Sequence, residues 1–136
     1  MLIKILILLL AALLISGCTE NSNDEREPQQ TATVYQRITP EQANEMLEND
    51  STIILLDVRT EDEFSELRIP GAILLPDYLV ADTASETLPD KDAVILVYCR
   101  SGRRSENAAR ELIGMGYTNV YDFGGIIDWS FETESD

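Results

Sequence analysis

The sequence predicts an α/β fold built on a central parallel sheet, because apolar strands alternate with helical segments and the strands lack the polar alternation of a water-facing sheet. The clearest strand, Ala93-Val94-Ile95-Leu96-Val97-Tyr98, is too apolar for anything but burial. Val34 to Ile38 is a short first strand. Thr39-Pro40-Glu41-Gln42 has the pattern of a capping box with proline at the first helical position, opening a helix that buries Ala43, Met46 and Leu47. Thr52 to Val58 is a second strand, continuous in apolar residues to Leu56, and Thr60 to Leu67 a short acidic helix. Pro70-Gly71 marks a turn before a third strand at Ala72 to Leu75. Asp77 to Leu88 reads as a loop with one or two helical turns. After the strand to Tyr98, a loop from Cys99 leads into a helix from Ser105 to Met115, which Gly116 stops as a C′ glycine. Thr118 to Asp122 is the last strand, followed by Gly124-Gly125 and a turn carrying Trp129.

The chain of 136 residues divides by composition. Met1 to Ile15 holds an early Lys4 and an apolar run. As a helix, Ile5 to Ile15 would reach roughly 16 Å, short of a hydrocarbon core of about 30 Å, so the segment reads as a secretory signal. Leu14-Ile15-Ser16-Gly17-Cys18 resembles the lipobox of bacterial lipoproteins. That resemblance implies removal of residues 1–17 and lipidation of Cys18, which would tether the protein to the extracytoplasmic face of a bacterial membrane. The other reading is an ordinary signal peptide cut nearby, leaving Cys18 free. Residues 18–33 are polar and read as a flexible tether, residues 34–131 suffice for one domain with one core, and residues 132–136 form an acidic tail.

Charge singles out one place. The chain has 10 Lys plus Arg against 25 Asp plus Glu, and removal of the segment containing Lys4 leaves 9 against 25, or −16. Such a chain repels nucleic acid over most of its surface. Yet Arg100, Arg103 and Arg104 lie within five consecutive positions, beside Cys99 in Cys99-Arg100-Ser101-Gly102-Arg103-Arg104. Where a strand ends and a helix begins, backbone N–H groups without intrahelical partners converge with the positive end of the helix dipole and stabilise an anion. A thiolate is such an anion. A free thiol titrates near about 8.5, and this setting lowers that value, so ionisation near neutrality needs no histidine, of which the chain has none. With Cys18 lipidated, Cys99 is either buried and inert or kept because it reacts. The polar residues that follow it favour reaction, with Cys99 reachable at the mouth of an arginine-rich pocket.

Three motifs in order resemble the rhodanese-like sulfurtransferases, from about Tyr35 to Trp129. They are Leu56-Asp57-Val58-Arg59 with Glu63-Phe64 and Ile69-Pro70-Gly71-Ala72, then Cys99 to Ser105, then Gly124-Gly125 with Trp129. Many members have Gly-His where this chain has Leu67-Arg68. The resemblance implies a rhodanese-like three-layer domain, its central parallel sheet flanked by helices, and a sulfurtransferase; one loop cysteine with no histidine offers no metal site, and no flavin or nicotinamide fingerprint calls for a cofactor. Cys99 would take sulfane sulfur from thiosulfate or a persulfide as a cysteine persulfide, then pass it to a thiol or cyanide. Arg100, Ser101, Gly102, Arg103, Arg104 and Ser105 would bind the substrate, and Asp57 and Arg59 would brace the reactive loop.

Plainer readings stand beside these. Arg104 pairs a carboxylate such as Asp57 or touches substrate; Arg100 is a solvated charge or a ligand contact; Phe64, Tyr98 and Trp129 are core or pocket wall. Ser101 and Ser105 are hydrogen-bonders or caps, since no histidine activates them. Cysteine phosphatases resemble His-Cys, five residues and Arg, whereas Tyr98 precedes Cys99 here and four residues separate it from Arg104. The shorter loop suits one sulfur atom. The rival of another class is a non-catalytic rhodanese-like module that binds a partner protein at the cell surface. The acidic surface favours a monomer.

Overall fold

The computed structural model describes residues 33–136. The signal segment, Cys18 and nearly all of the tether lie outside the described residues. Five strands, β1 (Gln36–Arg37), β2 (Ile54–Asp57), β3 (Ile73–Leu74), β4 (Val94–Cys99) and β5 (Asn119–Gly125), form one sheet in the order β1-β5-β4-β2-β3. All four pairings are parallel. The parallel α/β sheet expected from the apolar strands is therefore present.

The three layers follow from the two-residue period of the strands. Ile95, Val97 and Cys99 of β4 join one cluster with Leu56 of β2, under α3 (Val80–Thr87) and α4 (Arg103–Gly114). The alternate residues Leu96 and Tyr98 join the other with Leu55 of β2, Phe123 of β5 and Ala43 of α1 (Pro40–Asn49). Both faces of the sheet are thus covered. The helix α1 opens with the expected reciprocal capping at Thr39 and Gln42, with Ala43 buried and Met46 and Leu47 packed against the core. The short helix α2 (Glu61–Glu66) opens with a second capping box, Thr60 with Glu63.

Three expectations need correction. Asp77–Leu79 is a 3₁₀ turn that runs into α3, a regular helix, because Val80, Ala84 and Leu88 at four-residue spacing all bury fully against α4 and the sheet. The helix expected from Ser105 starts at Arg103: Gly102 takes the left-handed φ of +109° that turns the chain, and its carbonyl accepts the N–H of Glu106 at 3.1 Å. The last strand runs on to Gly125, across a bulge that pairs Val97 with Asp122 but Cys99 with Gly125.

Residues 132–136, expected as an acidic tail, are docked. Glu134 exchanges both backbone hydrogen bonds with Arg68 at 2.8 Å, and the Arg68 guanidinium meets Glu134 at 3.1 Å and Asp136 at 2.8 Å.

Candidate active site

The carboxyl ends of β4 and β2 place the chemistry. Cys99 is the last residue of β4, and Arg100 to Gly102 turn the chain into α4. The turn folds back on its own cysteine, so that the Gly102 N–H donates to Cys99 Sγ at 3.0 Å. Ser105, buried in the first turn of α4, brings its Oγ to 3.6 Å from the same sulfur. Burial pushes the Cys99 thiol up. Hydrogen bonds from the Ser105 hydroxyl and from the N–H groups of Ser105, Gly102 and Ser101 outweigh burial and hold the thiol below its ordinary value.

The thiol is not open at a pocket mouth as expected: Cys99 is 1% exposed. Its loop neighbours close over it because β5 presents glycine there. A Cβ at Gly125 would stand 2.1 Å from the carbonyl oxygen of Arg100 and 2.6 Å from Ser101 Cα. The Arg100 carbonyl is held in place by the Ile127 N–H at 3.2 Å.

The arginines divide into two kinds. Arg100 and Arg103 are exposed and have no carboxylate partner among the described residues, whereas Arg104 forks onto Glu63 with two bonds of 2.8 Å. The expected partner of that fork was a carboxylate such as Asp57. Asp57 instead lies buried against Arg59, which reaches it through Nε at 2.9 Å and Nη2 at 2.6 Å and through its backbone N–H at 3.0 Å. The Arg104 guanidinium beside Glu63 holds that carboxyl down at about 2, and the carboxylate in turn raises Arg104. Among the described residues, the side chains of Asp57 and Arg59 make no hydrogen bond to the reactive loop. Arg59 Nη2 donates to the Leu67 carbonyl at 2.6 Å, fixing the wall of a cavity of about 390 Å³ lined by Arg59, Glu63, Glu66, Leu67, Arg100 and Ile127 among others.

Tyr98 and Trp129 are core, and Phe64 is half-buried with the Arg68 guanidinium 4.8 Å over its ring. Arg68, standing where the resembling family often has histidine, turns to Glu134 and Asp136. Ser105 donates to the carbonyls of Gly102 at 3.0 Å and Gly124 at 3.2 Å, so the structure brings it to the sulfur and to the cap together. No cluster of three metal-ligating side chains occurs among the described residues.

Sequence reasoning missed two residues. Glu63 stands in a motif, and an acid opposite a fork of arginine was the available signal. Arg37 has none: it comes to Gly102 and Gly124 from the edge strand, 85 residues from its partner Asp122.

Comparison with known proteins gives the family. The model of the rhodanese-like domain matches residues 39–132. The adenylyltransferase and sulfurtransferase UBA4 of Candida albicans is 40% identical over 106 residues, which cover 73% of this chain but only 24% of that protein. The thiosulfate sulfurtransferase GlpE of Pseudomonas syringae pv. syringae is 36% identical over 93 residues, 68% of this chain and 84% of the relative. Among solved structures, a rhodanese with anions from E. coli is 32% identical with a TM-score of 0.58, covering 62% of this chain and all but 1% of that one. A match that takes in every element from α1 to β5, and relatives covered over most of their length, place this chain in the rhodanese-like domain family.

Proposed function

We propose that the protein is a sulfurtransferase that carries sulfane sulfur on Cys99. The observation that carries this reading is the cradle of N–H groups and the Ser105 hydroxyl that lowers the thiol against the opposing effect of burial. The Cys99 thiolate attacks the outer sulfur of thiosulfate or of a persulfide. A bond forms between Sγ and that sulfur, the sulfur–sulfur bond of the donor breaks, and sulfite or a thiolate leaves with its electron pair. The same N–H groups then face the charged outer sulfur of the persulfide. A thiolate or cyanide attacks that sulfur, and Cys99 leaves as thiolate. The exposed Arg100 and Arg103 draw the anionic donor to an otherwise acidic molecule. Arg104, committed to Glu63, sets the cradle's electrostatics rather than gripping substrate. With the sulfur 1% exposed, the Arg100–Gly102 turn yields to admit one atom. The names of relatives as thiosulfate sulfurtransferases support this substrate class. Lipidation of Cys18, which the lipobox-like run Leu14 to Cys18 supports, would keep the domain at the extracytoplasmic membrane face.

Incubation with thiosulfate, then with an organic persulfide, tests the reading. Expected is a mass gain of about 32 Da, one sulfur atom, removed by dithiothreitol and absent in Cys99→Ser. No gain from either donor, with Cys99 unreactive to small alkylators, sinks the proposal in favour of a non-catalytic binding module.

A further inference from the structure

A continuous series of hydrogen bonds runs from the thiol through β5 to the edge strand. Ser105 Oγ, 3.6 Å from Sγ, donates to the Gly124 carbonyl at 3.2 Å and to the Gly102 carbonyl at 3.0 Å. A hydroxyl has one proton and serves one acceptor at a time, so the placement of the Gly102 and Gly124 carbonyls together governs where that proton points. Gly124 is placed by Asp122, whose Oδ1 accepts the Gly124 N–H at 2.9 Å. The other oxygen of Asp122 accepts from Arg37 at 3.0 Å and from the Tyr35 hydroxyl at 2.5 Å.

Asp122 is wholly buried, yet sulfur transfer as described has no use for it. A buried carboxylate is costly unless paired, and the pairing here comes from a half-exposed arginine of the edge strand and from Tyr35, which packs against the same core cluster as Cys99. Arg37 also covers the back of the cradle. Its Nη2 lies 2.5 Å from where a Cβ on Gly124 would stand and 3.4 Å from the same point on Gly102. Gly124 has a φ of +91°, so only glycine holds this turn without strain.

We propose that Asp122, held by Arg37 and Tyr35, is a positioning residue for Cys99: by fixing Gly124 it keeps the Ser105 hydroxyl aimed within reach of the thiolate. The inference rests on Cys99 being the sulfur carrier. In the neutral state the S–H donates to Ser105 Oγ, and the Ser105 proton goes to a carbonyl. When Cys99 loses its proton to solvent, the Ser105 hydroxyl turns to donate to the sulfur. With Gly124 unpinned, the hydroxyl follows its carbonyl away and the thiolate loses that donor. Arg104, itself raised in part by the Cys99 charge, keeps its fork on Glu63 through this change.

The test is the pH dependence of iodoacetamide alkylation in the full chain, read at the Cys99 peptide by mass spectrometry. Asp122→Asn is expected to move the midpoint up by about one pH unit, an alkylation rate about tenfold lower at pH values below it. Arg37→Ala moves it in the same direction by less, and the double variant matches Asp122→Asn alone, because Arg37 acts through Asp122. Arg37 is half exposed, so Arg37→Ala together with Tyr35→Phe decides the matter if Asp122→Asn does not fold. Unmoved midpoints with only a lower melting temperature overturn the proposal. So does an additive double variant, which would mean that Arg37 acts by its field alone. Sulfur loading from thiosulfate, measured in parallel, separates the two claims: shifted midpoints in a chain that never loads sulfur keep the relay and sink the transfer reading.

Discussion

Gly125→Ala is the sharpest perturbation of the cradle. Gly125 has an ordinary extended backbone, so the substitution strains no dihedral and acts only through space. The added methyl would sit 2.1 Å from the Arg100 carbonyl oxygen, 2.5 Å from its carbon and 2.6 Å from Ser101 Cα. All three are backbone atoms, which cannot swing aside as a side chain can. Restoring a separation of 3.0 Å, below which such contacts essentially never occur, needs a shift of about 0.9 Å. The shift also pulls Arg100 from the Ile127 N–H that holds it. Overpacking of this kind costs roughly 1–3 kcal/mol, which a domain of about 5–15 kcal/mol survives. Misplacing a reacting group by about 1 Å costs on the order of 100-fold in rate. A rapid-mixing measurement of persulfide formation at Cys99, paired with urea unfolding, should therefore show a folded variant that loads sulfur about 100-fold more slowly. Gly114→Ala is the control, since its Cβ meets nothing within 4 Å and helix α4 gains about 0.5–1 kcal/mol. Wild-type loading in Gly125→Ala would refute the claim that this close approach positions the thiol.

Further outcomes follow from the same contacts. Glu63 is held at about 2 against 4.5, so its folded form resists protonation; its contribution to stability is complete above pH 4.5 and is lost as pH falls towards 2. Urea midpoints measured across that window should fall in the wild type and lose this limb in Glu63→Gln. Tyr98→Phe leaves the buried Ile69 N–H, which donates to the Tyr98 hydroxyl at 3.2 Å, without its acceptor. A loss of about 1–3 kcal/mol in urea unfolding, with sulfur loading retained, is expected. Arg68→Ala should lower the melting temperature modestly and speed amide exchange at Glu134, with the difference shrinking at high salt. Iodoacetamide should outpace a bulky aromatic disulfide at Cys99; equal rates would contradict a sulfur closed beneath its own loop.

The sheet was legible because a parallel sheet buried on both faces writes its strands as apolar runs, and Ala93 to Tyr98 is such a run. The capping residues at Thr39 announced α1 for a local reason, reciprocal bonds between residues three positions apart. Helix α3 was hidden by its Asp, Thr, Ser and Glu, which outnumber the three apolar residues that hold it down. The start of α4 was misplaced because glycine in a left-handed turn, rather than a serine cap, ends the loop. At the site, the cysteine and its arginines are contiguous and so could be read directly. The partner of Arg104 could not: Asp57 was the carboxylate at a strand end, but Arg59 two residues on already takes both its oxygens. The pairing of Arg37 with Asp122, 85 residues apart, exists only once the edge strand has found β5.

The bulge in β5 makes strand length a functional quantity. One additional residue between the partners of Val97 and Cys99 brings Gly125 level with the thiol. Deleting Gly124 would straighten the ladder and reverse the facing of whatever follows, sending Ile126 out of the aromatic core that it shares with Phe123 and Trp129. Here a frameshift of the backbone by one position would do more harm than replacing most of the side chains around it, so natural variants of this segment should differ in composition far more readily than in the number of residues.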